Sequence, residues 1–501
     1  MGDSDMVKFK PQYNPRDIKK SFQAMRSIEG LYVSHTLVER ISTSGDATGT
    51  PFYHFRWKLH NLADFVAYPE TSEQVKQILQ IANKYKVSVT PRGSGSCYYG
   101  SGVPANGGVV MDMKRMTNFE VDKESMTVTT QPGIVFSSLM TELAKEGLEL
   151  GCYPTSAYTT TIGGWIGTGG SMGIGTLQSG SFINQIVSLK LITPTGEEKF
   201  LSDEKSMSHL FGTGGIFGVV VEITIKLLPT PQMQTALSYG FKDKRDLLKT
   251  VEELVKTQDP FTLRFSDKGH EFRSTGFSKY DYYLFVYLTG RNKPYNEEYA
   301  QTLDVITKNQ GEYIGDLYST RVWEDYLKHE MRIKLANPVL MLQQIVVNFS
   351  AVPKLIDQFE KWANRYRVNH AYYGIINKDL KVRMVFYTPT DNTFWMHFLA
   401  SKAILHKLVK LGYRLGGRVY TYGLQNSVYL QKFEKEKLKT LRNLKHQEDP
   451  NYIVNPLKIV MTKMSFLRID VMFEMALIFR KISLFANKGA IILTPDMPGP
   501  N

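Results

Sequence analysis

Thr161-Ile-Gly-Gly-Trp-Ile-Gly-Thr-Gly-Gly-Ser-Met-Gly-Ile-Gly175 is the stretch whose reading decides the fold. It follows a second glycine-dense stretch, Pro91-Arg-Gly-Ser-Gly-Ser96, by about seventy residues. Each sits beside an apolar, strand-like run. Closely spaced glycines let backbone N–H groups approach a ligand with no Cβ in the way, so two such loops predict main chain laid against a large anionic ligand. Pro91 to Ser96 alone is a weak signal, since Gly-Ser-Gly turns join strands in many proteins. No Lys-Ser or Lys-Thr follows its glycines and it opens no helix, which excludes a triphosphate-binding loop and the parallel-sheet dinucleotide fingerprint.

Outward from these loops, strands and helices interleave. Phe65-Val-Ala-Tyr68 reads as a strand, Thr71-Ser-Glu-Gln74 as the cap of an amphipathic helix to Tyr85, and Val87-Ser-Val-Thr90 as the strand that delivers the first loop. Gly108 to Asp112 and Met126 to Thr130 follow as strands, and Phe136 to Leu148 as a helix. Ile186 to Ile192, a Pro-Thr-Gly-Glu turn and Glu198 to Leu201 predict a hairpin. Gly212 to Leu228 completes this part, and Pro229-Thr-Pro231 marks its edge. Beyond it, strands such as Tyr282 to Leu288 and Val382 to Tyr387 alternate with helices such as Lys354 to Tyr366, a second α+β unit. A glycine turn at Gly416-Gly417, a charged helix from about Gln431 to Lys445 and the stop signal Asp449-Pro-Asn-Tyr-Ile-Val-Asn-Pro456 come next. The expected layout is an N-terminal extension over 1–50 with little function, a first domain over 51–231, a second over 232–411, a return over 412–460 and an apolar-basic tail over 461–501.

The 501 residues suffice for two to four folding units of roughly 150 residues each. With 42% hydrophobic and 22% charged residues the composition is that of a globular protein, not a disordered or fibrous one. The formal charge is +13, but the basic residues are scattered and no nucleic-acid-binding signature occurs, so no nucleic-acid partner is expected. Cys97 and Cys152 are the only cysteines; no disulfide framework or cysteine zinc cage follows, and no metal is assigned. This suits a reducing compartment, and Met1-Gly-Asp-Ser-Asp-Met-Val-Lys8 lacks the features of a secretory signal, so a cytoplasmic location is expected. Met461 to Phe485 is rich in Met, Phe, Ile and Leu, yet Lys463, Arg468, Asp470, Glu474, Arg480 and Lys481 interrupt it, which excludes a spanning helix. Two readings of this tail stay open: peripheral contact with the cytoplasmic face of a membrane, with Arg468, Arg480, Lys481 and Lys488 near headgroups, and packing on its own chain or a partner subunit.

Read together, Pro91 to Ser96, Val109-Val-Met-Asp-Met113, Gln131-Pro-Gly133, Thr161 to Gly164, Ile192-Thr-Pro-Thr-Gly-Glu197 and Gly214-Gly-Ile-Phe-Gly-Val219 resemble the flavin-binding domain of the vanillyl-alcohol oxidase superfamily, the p-cresol methylhydroxylase-type fold. Asp449 to Pro456 with Lys458 is similar to the "DPxxxxNPxK" ending of its branch containing glycolate oxidase flavoprotein subunits, D-lactate dehydrogenases and alkyl-dihydroxyacetone-phosphate synthases. The resemblance implies an α+β fold with a substrate-capping domain, and FAD as cofactor. It implies that Pro91, Arg92, Gly93, Ser94, Gly95 and Ser96 together with Thr161, Ile162, Gly163, Gly164 and Gly167 cradle the pyrophosphate and ribityl chain. Gly218 and Val219 would offer backbone near the adenine end, and Asn455 belongs to the same cofactor set. Relatives that tether FAD place a His in the first loop, where this chain has Ser96 and Cys97; Cys152 lies near where others form a thioether, but not directly before the Pro as their motif requires. Non-covalent FAD is therefore expected.

Oxidation of a 2-hydroxy acid requires a cation for the carboxylate, a base for the hydroxyl proton and a C–H aimed at the flavin. Arg332, Arg383, His370 and Tyr422 are the candidates. Relatives of the lactate and glycolate type carry "GHxGDGNxH" and "GGxxxxEHGxG" stretches; this chain has Asn369-His-Ala-Tyr-Tyr-Gly374 and Gly416-Gly-Arg-Val-Tyr-Thr-Tyr-Gly423 in the corresponding places. Tyr422 thus replaces one family histidine, and His370 reads equally as base or as packed histidine. The expected reaction removes a hydride from a small hydroxylated substrate, D-lactate or glycolate in type, and passes electrons to a quinone, an iron–sulfur partner or oxygen. Gly163-Gly-Trp-Ile166 is closer to the ether-lipid synthases, so a flavin-dependent lipid transferase stands second, ahead of a non-enzymatic basic binding protein.

Overall fold

The computed structural model describes residues 14–48, 61–335, 339–390, 395–462 and 465–486. Its first sheet is built from short apolar strands in the order Tyr32–Ser34, Phe65–Tyr68, Val109–Asp112, Val89–Arg92. The outer pair is antiparallel and the other two pairings are parallel. The helix Ser72–Tyr85 makes the crossover that parallel strands require. Thr71 starts it, its hydroxyl accepting from the Gln74 N–H at 3.2 Å, and Lys86 ends it in the left-handed region at φ 52°. The strand Val109–Asp112, apolar up to Met111, is buried along its whole length, as a strand covered on both faces must be. The loop after Val89–Arg92 emerges at the carboxyl end of this sheet, where ligands of such sheets are held. Tyr32–Ser34, drawn from the segment read as an extension, closes the sheet's edge.

The second sheet has six strands, all antiparallel, centred on Val219–Pro229, which pairs with Thr127–Thr130, Ile186–Ile192 and Leu148–Leu150. The predicted hairpin, Ile186–Ile192 with Glu198–Leu201, is present. The helix read as Phe136 to Leu148 ends at Lys145 and Leu148–Leu150 is a strand; two further differences bear on the cavity. The stretch after Thr161 is not all loop: Ile162–Thr168 is a short helix, with the Thr161 hydroxyl accepting from the Gly164 N–H at 3.2 Å. The cap and the burial of Trp165 against Phe136 and Phe182 outweigh the helix-weakening effect of its glycines. The charged helix near Gln431 is two helices, Gly423–Phe433 and Lys435–Glu448, broken at Glu434.

The third sheet is an eight-stranded antiparallel one, in the order Glu312–Tyr313, Thr235–Phe241, Tyr282–Leu288, Thr262–Asp267, Ala371–Ile376, Lys381–Thr390, Val339–Asn348, Arg418–Val419. The α+β architecture expected from the sequence is thus the observed one. After Arg418–Val419 the chain returns to the first sheet: the Val89 N–H donates to the Ile453 carbonyl at 2.7 Å, and the Asn455 N–H to the Val89 carbonyl at 2.8 Å. Buried Asp449 shapes this return, accepting from the Ile453 and Val454 N–H groups at 3.0 and 2.9 Å and from Lys445 Nζ at 2.6 Å. The described chain closes with the helix Phe466–Ala486, and among the described residues no helix is long and apolar enough to cross a membrane.

Candidate functional site

Where the first and second sheets meet the third, one cavity collects both glycine stretches. Pro91 to Ser96, Thr161, Gly163, Gly164 and Gly167 form one side, with Gly218 and Val219 continuing it. The two stretches touch so closely that a Cβ on Gly93 would collide with the Thr161 hydroxyl. Gly95 has φ +69°, and a Cβ there would strike the Arg92 guanidinium. Among the described residues the backbone N–H groups of Gly93, Ser94, Gly95 and Ser96 find no acceptor, and Arg92 Nε is buried without a partner. Unfilled donors of this kind, converging beside a buried guanidinium, fit a pyrophosphate.

The segment before the first glycine stretch and the returning one hold it from behind. Arg92 Nη2 donates to the Gly45 carbonyl at 3.1 Å, and its Nη1 lies 3.8 Å from the buried Asp112 carboxylate. The Ala47 N–H donates to the Gly95 carbonyl at 3.1 Å. Burial pushes Asp46 up to about 6 and Lys458 down to about 7. Lys458 Nζ donates to the Ser101 carbonyl and to Asn455 Oδ1, each at 2.7 Å, and Asn455 Nδ2 donates to the Gly214 carbonyl at 2.6 Å. Asn455 therefore stands behind the wall, shaping it. Ile162 also lies behind it, fully buried. Asp46 and Lys458 are parts of this support that sequence reasoning did not assign.

Opposite the glycines the third sheet supplies side chains. Arg383, 3% exposed, lines the cavity, donates to Thr155 Oγ1 at 3.2 Å and lies 5.0 Å over the Tyr420 ring. Gln344 and Tyr420 line it too, and the Tyr420 hydroxyl donates to the Met172 carbonyl at 3.3 Å. Thr421 latches the walls together, its hydroxyl donating to the Thr168 carbonyl at 2.7 Å.

Of the four candidates for substrate chemistry, only Arg383 is on this wall. Tyr422 is turned into its own helix pair: its hydroxyl donates to Glu434 at 2.7 Å and accepts from Lys437 at 3.0 Å, and burial raises the phenol well above its ordinary range. Arg332 lies away from the cavity in a 2.7 Å ion pair with Asp325. His370 sits edge-on to Phe359 at 5.5 Å, with Nδ1 3.4 Å from the Val368 carbonyl, and burial lowers its pKa. Within Gly416 to Gly423 the resemblance singles out Tyr422, but the cavity takes Tyr420: the strand stops at Val419, and Tyr422 becomes the residue that starts Gly423–Phe433. Gln344 left a signal, since Gln343-Gln344 interrupts an apolar strand. Cys97 lines the cavity, its thiol pushed up to about 11 by burial, whereas Cys152 is buried in the core and away from the wall.

Residues 63–202 match the FAD binding domain model, and residues 230–459 match the C-terminal domain of the FAD linked oxidases. The chain is 25% identical over 423 residues to the glycolate oxidase subunit GlcD of Bacillus subtilis (strain 168), spanning 80% of this chain and 89% of that one. It is 22% identical over 463 residues to the alkyldihydroxyacetonephosphate synthase of Dictyostelium discoideum, spanning 81% of this chain and 74% of that one. Among solved structures, p-cresol methylhydroxylase with substrate bound superposes with a TM-score of 0.74 at 15% identity, over 89% of this chain and 98% of that one, a likeness of fold.

Proposed function

The chain belongs to the FAD-linked oxidases of the p-cresol methylhydroxylase and vanillyl-alcohol oxidase superfamily, and from that premise we propose that it oxidises a small 2-hydroxy acid of the D-lactate or glycolate type. It is an FAD-dependent oxidoreductase of the type to which glycolate oxidase subunits, D-lactate dehydrogenases and alkyldihydroxyacetonephosphate synthases belong. One observation carries the finer reading: a buried guanidinium, Arg383, stands on the cavity wall opposite the glycine stretches. A 2-hydroxy acid presents a carboxylate that such a group pairs with through two parallel hydrogen bonds. Stacking on Tyr420 and the bond to Thr155 hold the guanidinium in place before the substrate arrives.

In this reading the N–H groups of Gly93 to Ser96 and Arg92 bind the pyrophosphate, and Thr161, Gly163, Gly164 and Gly167 line the path of the ribityl chain. Gly218 and Val219 meet the adenine end. Tyr420, in place of Tyr422, bonds the substrate hydroxyl. Bound FAD supplies the hydride acceptor, and a quinone, an iron–sulfur partner or oxygen takes the electrons onward. The cofactor is held without a covalent bond, because Cys152 is away from the wall and the Cys97 thiol stays protonated near neutral pH. The test is anaerobic: D-lactate, glycolate and longer 2-hydroxy acids are added to the yellow protein and the flavin absorbance is followed. One of them bleaches it in the natural chain and does so far more slowly in Arg383→Ala; a full panel without bleaching rejects the reading.

A specific feature favours a second reading. Tyr98 and Tyr99 line the cavity and pack into an apolar cluster with Leu340, Leu342, Tyr373 and Tyr387, surroundings suited to an alkyl chain. A flavin-dependent lipid transferase forms product from an acyl-dihydroxyacetone phosphate and a fatty alcohol with no net consumption of an electron acceptor. That assay separates the two readings.

A further inference from the structure

The helix Phe466–Ala486 lies antiparallel to the helix Trp395–Arg414, with His406 against Asp470 at one end and the Arg480 charge reaching His397 at the other. Its acids pair with that helix, Asp470 from the covered side and Glu474 from the flank, where its side chain is 43% exposed. Asp470 accepts from Lys410 at 2.6 Å and from His406 at 2.9 Å, and Glu474 pairs with Lys407 and Lys410 at 3.4 and 3.5 Å. Arg480 is buried, donating to the Tyr366 and Arg367 carbonyls. The opposite face carries Leu467, Val471, Met475, Ile478, Ile482 and Phe485, spaced three or four apart on one side of the helix. These side chains are 44–71% exposed. The exposed charges of the helix, Arg468 and Lys481, are both cations.

We propose that this face seats the protein on the surface of an anionic lipid bilayer. The helix spans about 30 Å at 1.5 Å per residue, and its apolar row runs nearly end to end; the one acid at its flank, Glu474, is paired with Lys407 and Lys410. Arg468 and Lys481 meet the negative surface while the row enters the headgroup–acyl boundary. Exposed Trp395 stands at the Phe485 end, where an indole suits the lipid–water boundary. A second copy is a poorer occupant: a symmetric pairing would set Arg468 and Lys481 against an equally basic face. The surface is separate from the cavity and does not rest on the 2-hydroxy-acid reading.

The full-length, flavin-loaded protein is floated with vesicles of phosphatidylcholine, alone or mixed with phosphatidylserine, and its mass is measured by light scattering. It floats with the anionic vesicles, less with the neutral ones, and less again in high salt. The double variant Ile478→Glu, Ile482→Glu lowers anionic-vesicle binding about 100-fold, and Arg468→Glu about tenfold, with the flavin spectrum unchanged. These positions are exposed, so the substitutions leave the core intact. Three outcomes overturn the proposal: no flotation with anionic vesicles, flotation that the variants do not alter, or a dimer in solution that the double variant dissociates and that does not float.

Discussion

The two walls of the cavity are made of different material. On one side the contact surface is largely main chain: the Gly93 to Ser96 turn, the glycines after Thr161 and the bend at Gly218, where a Cβ on Gly93, Gly95 or Gly218 would find no room. On the other it is side chain: Gln344, Arg383 and Tyr420, from three strands or loops of the third sheet. Backbone offers the same donors in every member of a family, so it suits a common cofactor. Side chains can be exchanged singly without disturbing the sheet beneath them, so they suit the substrate that differs.

The sharpest way to break this contrast is to fill the backbone side. Gly93→Val drives two methyl groups into Thr161, an overpacking of about 1–3 kcal/mol. The expected product folds but purifies without its yellow colour, and full flavin occupancy would remove the assignment of this side to the cofactor. On the other side, Arg383→Ala keeps the flavin spectrum and lowers the anaerobic reduction rate by roughly 10–150-fold, the worth of a charge-assisted bond of about 1.5–3 kcal/mol. Loss of flavin in that variant would mean that the walls are not functionally separate.

Smaller changes sharpen the same division. Tyr420→Phe reduces flavin reduction about fivefold, whereas Tyr422→Phe leaves the rate near that of the natural chain and lowers unfolding stability by about 1 kcal/mol, through its bonds to Glu434 and Lys437. Rapid-mixing spectroscopy and denaturant titration read the two effects, and a reversal of their order restores Tyr422 to the site. Smallest of all is the behaviour of Cys97. With its thiol at about 11, alkylation stays slow at pH 8 and accelerates only as the pH approaches that value. Flavin fluorescence should leave with acid precipitation; fluorescence that stays with the precipitated chain would reveal a tether.

The backbone side was legible because glycine spacing constrains main chain directly. Thr71 and the Ile186 to Leu201 hairpin were read for similar reasons, since caps and turns act on their own neighbours. The side-chain wall was not. Nothing near Arg383 in sequence distinguishes it from Arg332, and only the pairing of Lys381–Thr390 with Val339–Asn348 turns it toward the cavity, while Arg332 pairs with Asp325 elsewhere. Tyr420 and Tyr422 carry the same alternation, and the end of the strand between them sends one to the wall and the other into a helix pair. Asp46 under the first loop was equally hidden, because apart from Thr48 its neighbours there, Gly100, Gly102 and Lys458, come from distant parts of the chain.

The sequence by itself determined many of the strands and helices around the cavity, the two glycine stretches and, through them, the flavin fold, because those features arise from backbone preferences acting within a few residues. Tertiary structure alone decided which arginine and which tyrosine line the cavity, and which side of the last helix is left exposed. Those outcomes depend on sheet register and on packing between segments hundreds of residues apart, which no local pattern encodes.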